Sequence, residues 1–368
     1  MLKDRFENQI VLRPYTNESI LILGKSGYGK TFAMSRLIEE YTDQGESVII
    51  LDFSGSYSEE ELKKHSFVCE LKEIKYGLEK VVLPVFSNVQ KEDAPGILTE
   101  FFASSCSLNQ SYRQRFLLET VCKKVIEGCW GKSITPSLVI SELKDLIKRD
   151  TEELELIEKL LSKIIDLDGD WIELNASRNV LCEEGKPVVW QLSALNRHKQ
   201  QELVSFMLSV LWHMAKSRNT FKITKIFVDE AEVLPLNNSP IEVFLRQGRK
   251  FGVAMIVASQ YIEMGKPEDF QLLKQADSQL YFRPTPEDVR RIARGINFEN
   301  RFEYERILAD LKQGEALLCG NYSVNESEQI LSRPIVVKVR KREEIAEEKD
   351  GEHGENIETN RSLRNFTV

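Results

Sequence analysis

Little in this sequence would staple or anchor a chain. Its six cysteines, Cys69, Cys106, Cys122, Cys129, Cys182 and Cys319, form no C-x-x-C pair and no regular spacing. That argues against a disulfide framework or a cysteine zinc site and for free thiols in a reducing compartment. The four histidines are scattered, none at a metal-ligand spacing, so surface or core packing is expected of each. No apolar run approaches the ~18 to 20 residues of a membrane helix. Charges throughout residues 1–12 leave no signal-peptide core, so a cytoplasmic location is expected. Positive charge is short as well: 50 Lys and Arg against 58 Asp and Glu leave a net charge of -8. A chain-wide basic surface for nucleic acid is excluded, although a local basic patch or pore loop is not.

What is present is an ordinary globular composition over 368 residues, enough for one large domain with an insertion or for two domains. Ile20 to Leu23 is a short apolar run ending at glycines and reads as a buried strand. A helix follows with Met34, Leu37, Ile38 and Tyr41 on one face. Val48 to Leu51 is a second buried strand, and strand–helix–strand units of this length build parallel sheets. From about Asn88 to Trp171 the pattern turns helical. There Thr135-Pro136 is a helix start, with the hydroxyl as N-cap. Leu154, Ile157, Leu161, Ile164 and Ile165 make one apolar stripe. The α/β pattern resumes with strands at Val188 to Leu192, Ile226 to Val228 and Val253 to Ala258. A helix carries Leu203, Phe206, Met207, Val210, Leu211 and Met214, and further strands are expected at Gln279 to Phe282, Ala316 to Cys319 and Ile335 to Val339. Thr285-Pro286-Glu287-Asp288 is a capping-box start. The expected fold is therefore α/β, a mainly parallel sheet with an inserted all-α subdomain. Residues 1–87 hold the first part of the core and 88–180 the insertion. Residues 181–340 hold the second part, and 341–368 are a charged tail, either solvating or ordered on a neighbouring subunit.

Gly24-Lys25-Ser26-Gly27-Tyr28-Gly29-Lys30-Thr31 fits G-x-x-x-x-G-K-[ST] between a predicted strand and a predicted helix, the context that a P-loop requires. Glycines let the backbone aim N–H groups at phosphate oxygens, and the helix start adds partial positive charge. This assigns residues Gly24 to Thr31, with Phe32, to binding the phosphates of ATP. Lys30 would reach the β- and γ-phosphates and Thr31 would hold Mg²⁺. Ile226-Phe227-Val228 ends in Asp229 and Glu230. Asp229 would hold Mg²⁺ and Glu230 would polarise the attacking water. A small-molecule kinase must keep water from the γ-phosphate, so the second acid points to hydrolysis. Gln260 closes the next strand, where it can sense the γ-phosphate. In Arg246-Gln247-Gly248-Arg249-Lys250, Arg249, or failing it Arg246, is either a finger toward a neighbour's ATP or part of a solvated helix end.

Taken in order, the P-loop, the strand ending Leu51-Asp52, the all-α insertion, Val228-Asp229-Glu230-Ala231-Glu232, Gly248-Arg249-Lys250-Phe251-Gly252 and Ala258-Ser259-Gln260 resemble the HerA/FtsK superfamily. The likeness is nearest the HerA branch and its relatives, the conjugative secretion ATPases, and spans about residues 18–340. The resemblance implies a RecA-like P-loop core with Walker B and sensor elements in its second part. It also implies a homo-hexameric ring with ATP sites between subunits, and double-stranded DNA threaded through the pore. Two features depart from the pattern. The family's Asp-Pro-x-Gly-Glu type sequence reads Asp52-Phe53-Ser54-Gly55-Ser56-Tyr57 here, so only Asp52 and Gly55 match. The 23 residues before Gly24 are too few for the β-barrel that docks a nuclease in family members, so a core without that barrel is expected. No winged-helix domain of the FtsK kind is expected after the core. The implied activity is an ATP-hydrolysing DNA translocase or helicase working with a separate effector such as a nuclease, in DNA processing or anti-phage defence. The alternatives are an ATP-switched scaffold for an effector and a secretion or conjugation ATPase recruited by a membrane partner.

Overall fold

Apolar runs with no polar alternation must be covered on both faces, and helices on each side of a parallel sheet provide that cover. The computed structural model has this form. It describes residues 1–340 except 16–17, 65–66, 68, 107–110, 149–152, 175–185, 218–222, 235–238, 261–266 and 326. Cys182 and the expected tail lie outside the described residues.

The chain begins with β1 (Leu2–Asp4), β2 (Gln9–Leu12) and β3 (Ile20–Leu23), then α1 (Lys30–Asp43) and β4 (Val48–Asp52). Next come α2 (Glu59–Lys63), β5 (Lys72–Lys75) and β6 (Val81–Leu83). The helical stretch holds α3 (Ala94–Ser105), α4 (Tyr112–Cys129), α5 (Pro136–Ile147) and α6 (Leu154–Ile164), and ends at β7 (Ile172–Leu174). The second half runs β8 (Val188–Gln191), α7 (Arg197–Lys216), β9 (Lys225–Val228), α8 (Pro240–Gln247) and β10 (Ala254–Ser259). It closes with α9 (Pro267–Leu273), β11 (Ser278–Phe282), α10 (Pro286–Ile296), α11 (Arg301–Asp310), β12 (Glu315–Cys319), β13 (Tyr322–Val324) and β14 (Ile335–Val339).

Twelve strands form one sheet in the order β13-β2-β1-β14-β12-β11-β3-β10-β9-β4-β8-β5. Every pairing from β11 to β5 is parallel, and every pairing from β13 to β11 is antiparallel. Strands β6 and β7 pair separately as a parallel ribbon that brackets α3 to α6. Alternate residues of the central strands feed two cores. Leu21, Leu23, Ile49, Leu51, Ile226, Val228, Met255 and Val257 face α7 and the helical insertion. Ile20, Ile22, Val48, Ile50, Phe227, Ile256 and Ala258 face α1, through Met34, Leu37 and Ile38.

Several local expectations change in detail. Thr135 precedes α5 without a side-chain cap bond; its hydroxyl donates instead to Asp170 Oδ1 at 3.0 Å. The α6 stripe keeps Ile157 and Ile164, with Leu161 half-buried against the same core, and adds Leu160, whereas Leu154 and Ile165 at its two ends are exposed, because contact with α4 and α5 covers only the middle of the expected stripe. Thr285 does cap α10, accepting from the Asp288 N–H at 3.3 Å. Helix α7 is buried on more than one face, since it lies between the sheet and α3. The strands β1, β2, β5, β6, β7 and β13 were not expected. They are three or four residues long, several mix charged with apolar residues, and, apart from the local β1–β2 pair, their pairing partners are remote in sequence.

Candidate phosphate-binding crevice

The phosphate loop leaves β3 at Leu23. Gly24, Gly27 and Gly29 all have positive φ, at 153°, 81° and 109°. A Cβ on Gly24 would lie 2.6 Å from the Phe282 Cβ, so only glycine lets the loop cross β11 here. Gly29 is the N-cap of α1, with no side-chain cap bond and no acidic residue in the first turn. The first N–H groups of a 14-residue helix, with the positive end of its dipole, are thus left for an anion. Neighbouring elements brace the loop. Gly24 N–H donates to the Ser259 carbonyl (3.3 Å), Lys25 N–H to the Arg283 carbonyl (2.9 Å) and Gly314 N–H to the Tyr28 carbonyl (3.0 Å). The Arg283 guanidinium lies 5.7 Å from the Tyr28 ring centre. Phe32 is half-buried on the α1 side of the sheet. Lys30 is buried and donates through Nζ to the Lys25 carbonyl at 3.4 Å. Burial lowers its pKa, against the pull of Asp229, Glu232 and Glu230.

The sheet register brings the acids to this loop. Leu23 pairs with Ser259, Val257 with Val228, and Val228 with Leu51, so Gly24, Gln260 and Asp229, which follow strand ends, and Asp52, which closes β4, share one edge. Asp229 is buried, which raises its pKa; hydrogen bonds from Tyr57 Oη (2.7 Å) and the Glu230 N–H (2.8 Å), and the Lys30 charge, offset part of that rise. Glu230 has φ 50° and ψ 45°, a left-handed conformation that costs a non-glycine residue strain. Its carboxyl is half-buried, and its pKa is raised by burial and then by repulsion from Asp229, Glu232 and Asp52.

Two further parts of the crevice were missed in the sequence. Glu232 Oε2 accepts from Ser259 Oγ at 2.9 Å and from the Gln260 N–H at 3.3 Å, which ties the β10 end to the acidic loop. Asp52 accepts from the N–H groups of Ser54, Gly55 and Tyr57 and from Gln191 Nε2. This closes residues 53–57 into a tight loop, with Gly55 at φ 84°, and drives the Tyr57 ring fully inside. Its hydroxyl meets Asp229 and is also hydrogen-bonded by Thr31, so the two residues expected to hold Mg²⁺ converge on one buried phenol. The match at Asp52 and Gly55 was the available signal; that Tyr57 would reach the end of the neighbouring strand β9 was not in it. Tyr57→Phe removes the hydroxyl and leaves Asp229 short of a partner. It should cost about 1 to 3 kcal/mol, read from urea unfolding. A midpoint equal to the wild type would show that the hydroxyl does not hold Asp229.

The structure brings Lys30, Thr31, Asp229, Glu230 and Gln260 together, and it does not bring Arg249 to them. Arg249 is exposed in the 3-10 turn Gly248–Phe251, before β10, whereas Gln260 follows β10. A six-residue strand separates them, about 20 Å at ~3.3 Å per residue. Arg249 lines a cavity of about 460 Å³ with Tyr15, Glu18, Lys225 and Ala254, at the opposite edge of the sheet. Arg246 pairs with Glu242 Oε1 at 3.1 Å, one helical turn back.

Compared with known proteins, residues 7–211, more than half of the chain, match the family model of the central domain of helicase HerA. This chain belongs to that family, within the HerA-like P-loop ATPases. The DNA double-strand break repair helicase HerA of Sulfurisphaera tokodaii is 23% identical over 351 residues, covering 88% of this chain and 64% of that protein. The chain thus spans somewhat less than two thirds of that relative. Among solved structures, VirB4 of Thermoanaerobacter pseudethanolicus is similar with a TM-score of 0.67 and 19% identity, over 92% of this chain and 95% of that one. The plasmid coupling protein TrwB, solved with a non-hydrolysable ATP analogue, has a TM-score of 0.62 and 12% identity, over 89% of this chain and 86% of that one. TrwB has also been solved with ADP and Mg²⁺. These likenesses establish the RecA-like fold of the HerA-family chain. Among the described residues no helix is long and apolar enough to cross a membrane.

Proposed function

We propose that this HerA-family chain hydrolyses ATP with Mg²⁺ as a ring-forming motor, a homo-hexamer, that moves double-stranded DNA and serves a separate effector such as a nuclease. Residues 1–87 and 181–340 make the motor core in this reading, 88–180 the helical insertion and 341–368 a charged tail. The observation that carries it is the convergence of Lys30, Thr31, Asp229 and Glu230 on the uncapped start of α1. The nucleotides bound by TrwB and the DNA-repair role of the HerA relatives support the same reading.

The site suits both the nucleotide and the ion. Three positive-φ glycines and a helix start without acidic residues suit phosphate oxygens. The buried Asp229 carboxylate and the Thr31 hydroxyl, meeting at Tyr57, suit a hard cation that prefers oxygen. Bound there, Mg²⁺ would neutralise phosphate charge as it builds. Lys30 places a cation at the β- and γ-phosphates. Glu230, half-buried and crowded by acids, holds a carboxylate where it can take a proton from the attacking water. Gln260, anchored by Glu232, stands just past the end of the strand between the P-loop and the acids, where it can contact the γ-phosphate.

Purified chain should hydrolyse ATP only with Mg²⁺, and faster when double-stranded DNA is added. Mass photometry with a non-hydrolysable analogue should show a six-subunit particle. Turnover indifferent to DNA would support the ATP-switched scaffold instead. A chain that stays monomeric at micromolar concentration, with nucleotide and DNA present, would remove the ring.

A further inference from the structure

We infer that Asp166, His198 and Glu202 form a site for a first-row divalent cation, best matched by Zn²⁺, which fastens the helical insertion to α7. Asp166 lies in the 3-10 turn Ile165–Leu167 that follows α6. His198 and Glu202 are one turn apart on α7 and so share a face. One ligand atom from each of the three lies within 4.8 Å of the other two. His198 Nδ1 is hydrogen-bonded to Asp166 Oδ2 at 2.6 Å, a bond whose proton an entering cation would replace, and it lies 3.8 Å from Glu202 Oε1.

The independent observation is at Glu202. This residue is only 8% exposed, yet its Oε2 has no hydrogen-bond partner among the described residues. An orphaned buried carboxylate oxygen is costly, and a cation bound at Oε1 of the same carboxylate, the oxygen that faces His198, offsets the charge that Oε2 shares. One imidazole nitrogen with two carboxylate oxygens is a borderline donor set. It suits Zn²⁺ better than Mg²⁺ or Ca²⁺, which favour oxygen alone. His198 is 66% exposed at its side chain, so water can complete a tetrahedral shell from the open side.

The position gives the cation a task. The first turns of α7 grip loops at the crevice edge. Arg197 donates to the Glu232 carbonyl (3.1 Å), Gln200 Nε2 to the carbonyls of Phe53 (3.2 Å) and Leu192 (3.0 Å), and Gln201 Nε2 to the Val233 carbonyl. A cation joining Asp166 to His198 and Glu202 therefore couples the insertion to the helix that braces the loops after β4 and β9. The spacing of histidines alone could not reveal this site, because the third ligand comes from another element and only one ligand is a histidine.

The test is calorimetric titration of ZnCl₂ into full-length chain stripped with EDTA, with Co²⁺ absorption as a second readout of coordination. Wild type should take up one Zn²⁺ per chain and show a Co²⁺ band that Zn²⁺ removes. Asp229→Asn should do the same, which separates this site from the nucleotide crevice. His198→Ala and the isosteric Glu202→Gln, each checked for folding by circular dichroism, should weaken Zn²⁺ binding at least ten-fold and lose the Co²⁺ band. Absence of saturable Zn²⁺ binding to wild type would overturn the assignment. So would binding that survives both His198→Ala and Glu202→Gln undiminished. Should His198→Ala fail to fold, Glu202→Gln alone decides, since it keeps the shape and removes one ligand charge.

Discussion

Arg249→Ala should lower ATP turnover by about 10³ to 10⁵, the range for loss of an arginine finger, while nucleotide binding and fold are retained. Arg249 is exposed, so truncating it removes no core packing. Its turn is held by the backbone, with the Val253 N–H donating to the Gly248 carbonyl at 3.0 Å and the Gly252 N–H to the Arg249 carbonyl at 3.1 Å. The guanidinium is thus presented from a rigid base, on the sheet edge away from its own crevice. In the proposed ring this edge would face a neighbour's nucleotide, where a rigid five-donor fork would meet the charge that grows on the γ-phosphate. Mixing Arg249→Ala with Glu230→Gln subunits should restore part of the activity, because some interfaces then pair an intact Glu230 with an intact Arg249. If subunits demonstrably exchange and nothing returns, Arg249 is not the finger. Arg246, once freed from Glu242, becomes the residue to test.

Glu230→Gln should slow hydrolysis by about 10² to 10⁴, the contribution of a positioned general base, with little change in nucleotide affinity. Glutamine fills the same volume and adopts the left-handed backbone no less easily than glutamate. Lys30, Thr31 and Asp229 are untouched, so the groups expected to bind phosphate and Mg²⁺ survive. Single-turnover hydrolysis beside a fluorescent-nucleotide titration separates the two effects. Wild-type turnover in the variant would move the base assignment to Glu232, the other acid of the crevice, even though it is already engaged by Ser259 and Gln260.

Legibility followed the range of the interactions. Apolar runs such as Val48–Asp52 and Ala254–Ser259 are buried at every position, so their strands could be read locally. The cap at Thr285 was equally legible because it is closed within four residues. The extent of the α6 stripe was misjudged because leucine and isoleucine stand at both of its ends, and only contact with α4 and α5 decides which of them are covered. Asp52 and Gly55 could be noted, but the loop they close, and the reach of Tyr57 to Asp229, depend on strands far apart in the chain.

By itself the sequence determined the phosphate loop. Its glycines, its lysine and the start of α1 are neighbours along the chain, and their geometry is set by backbone freedom and helix polarity. It determined too that a strand must lead into Asp229 and Glu230. Only the tertiary structure decided that β10 and β9 insert between β3 and β4, that Gln260 thereby stands between the P-loop and the acids, and that β1, β2, β13 and β14 extend the sheet with antiparallel strands. The reason is that strand order depends on which edges find complementary hydrogen-bonding partners and matching apolar faces in three dimensions. Local sequence carries the need for such a partner without naming it.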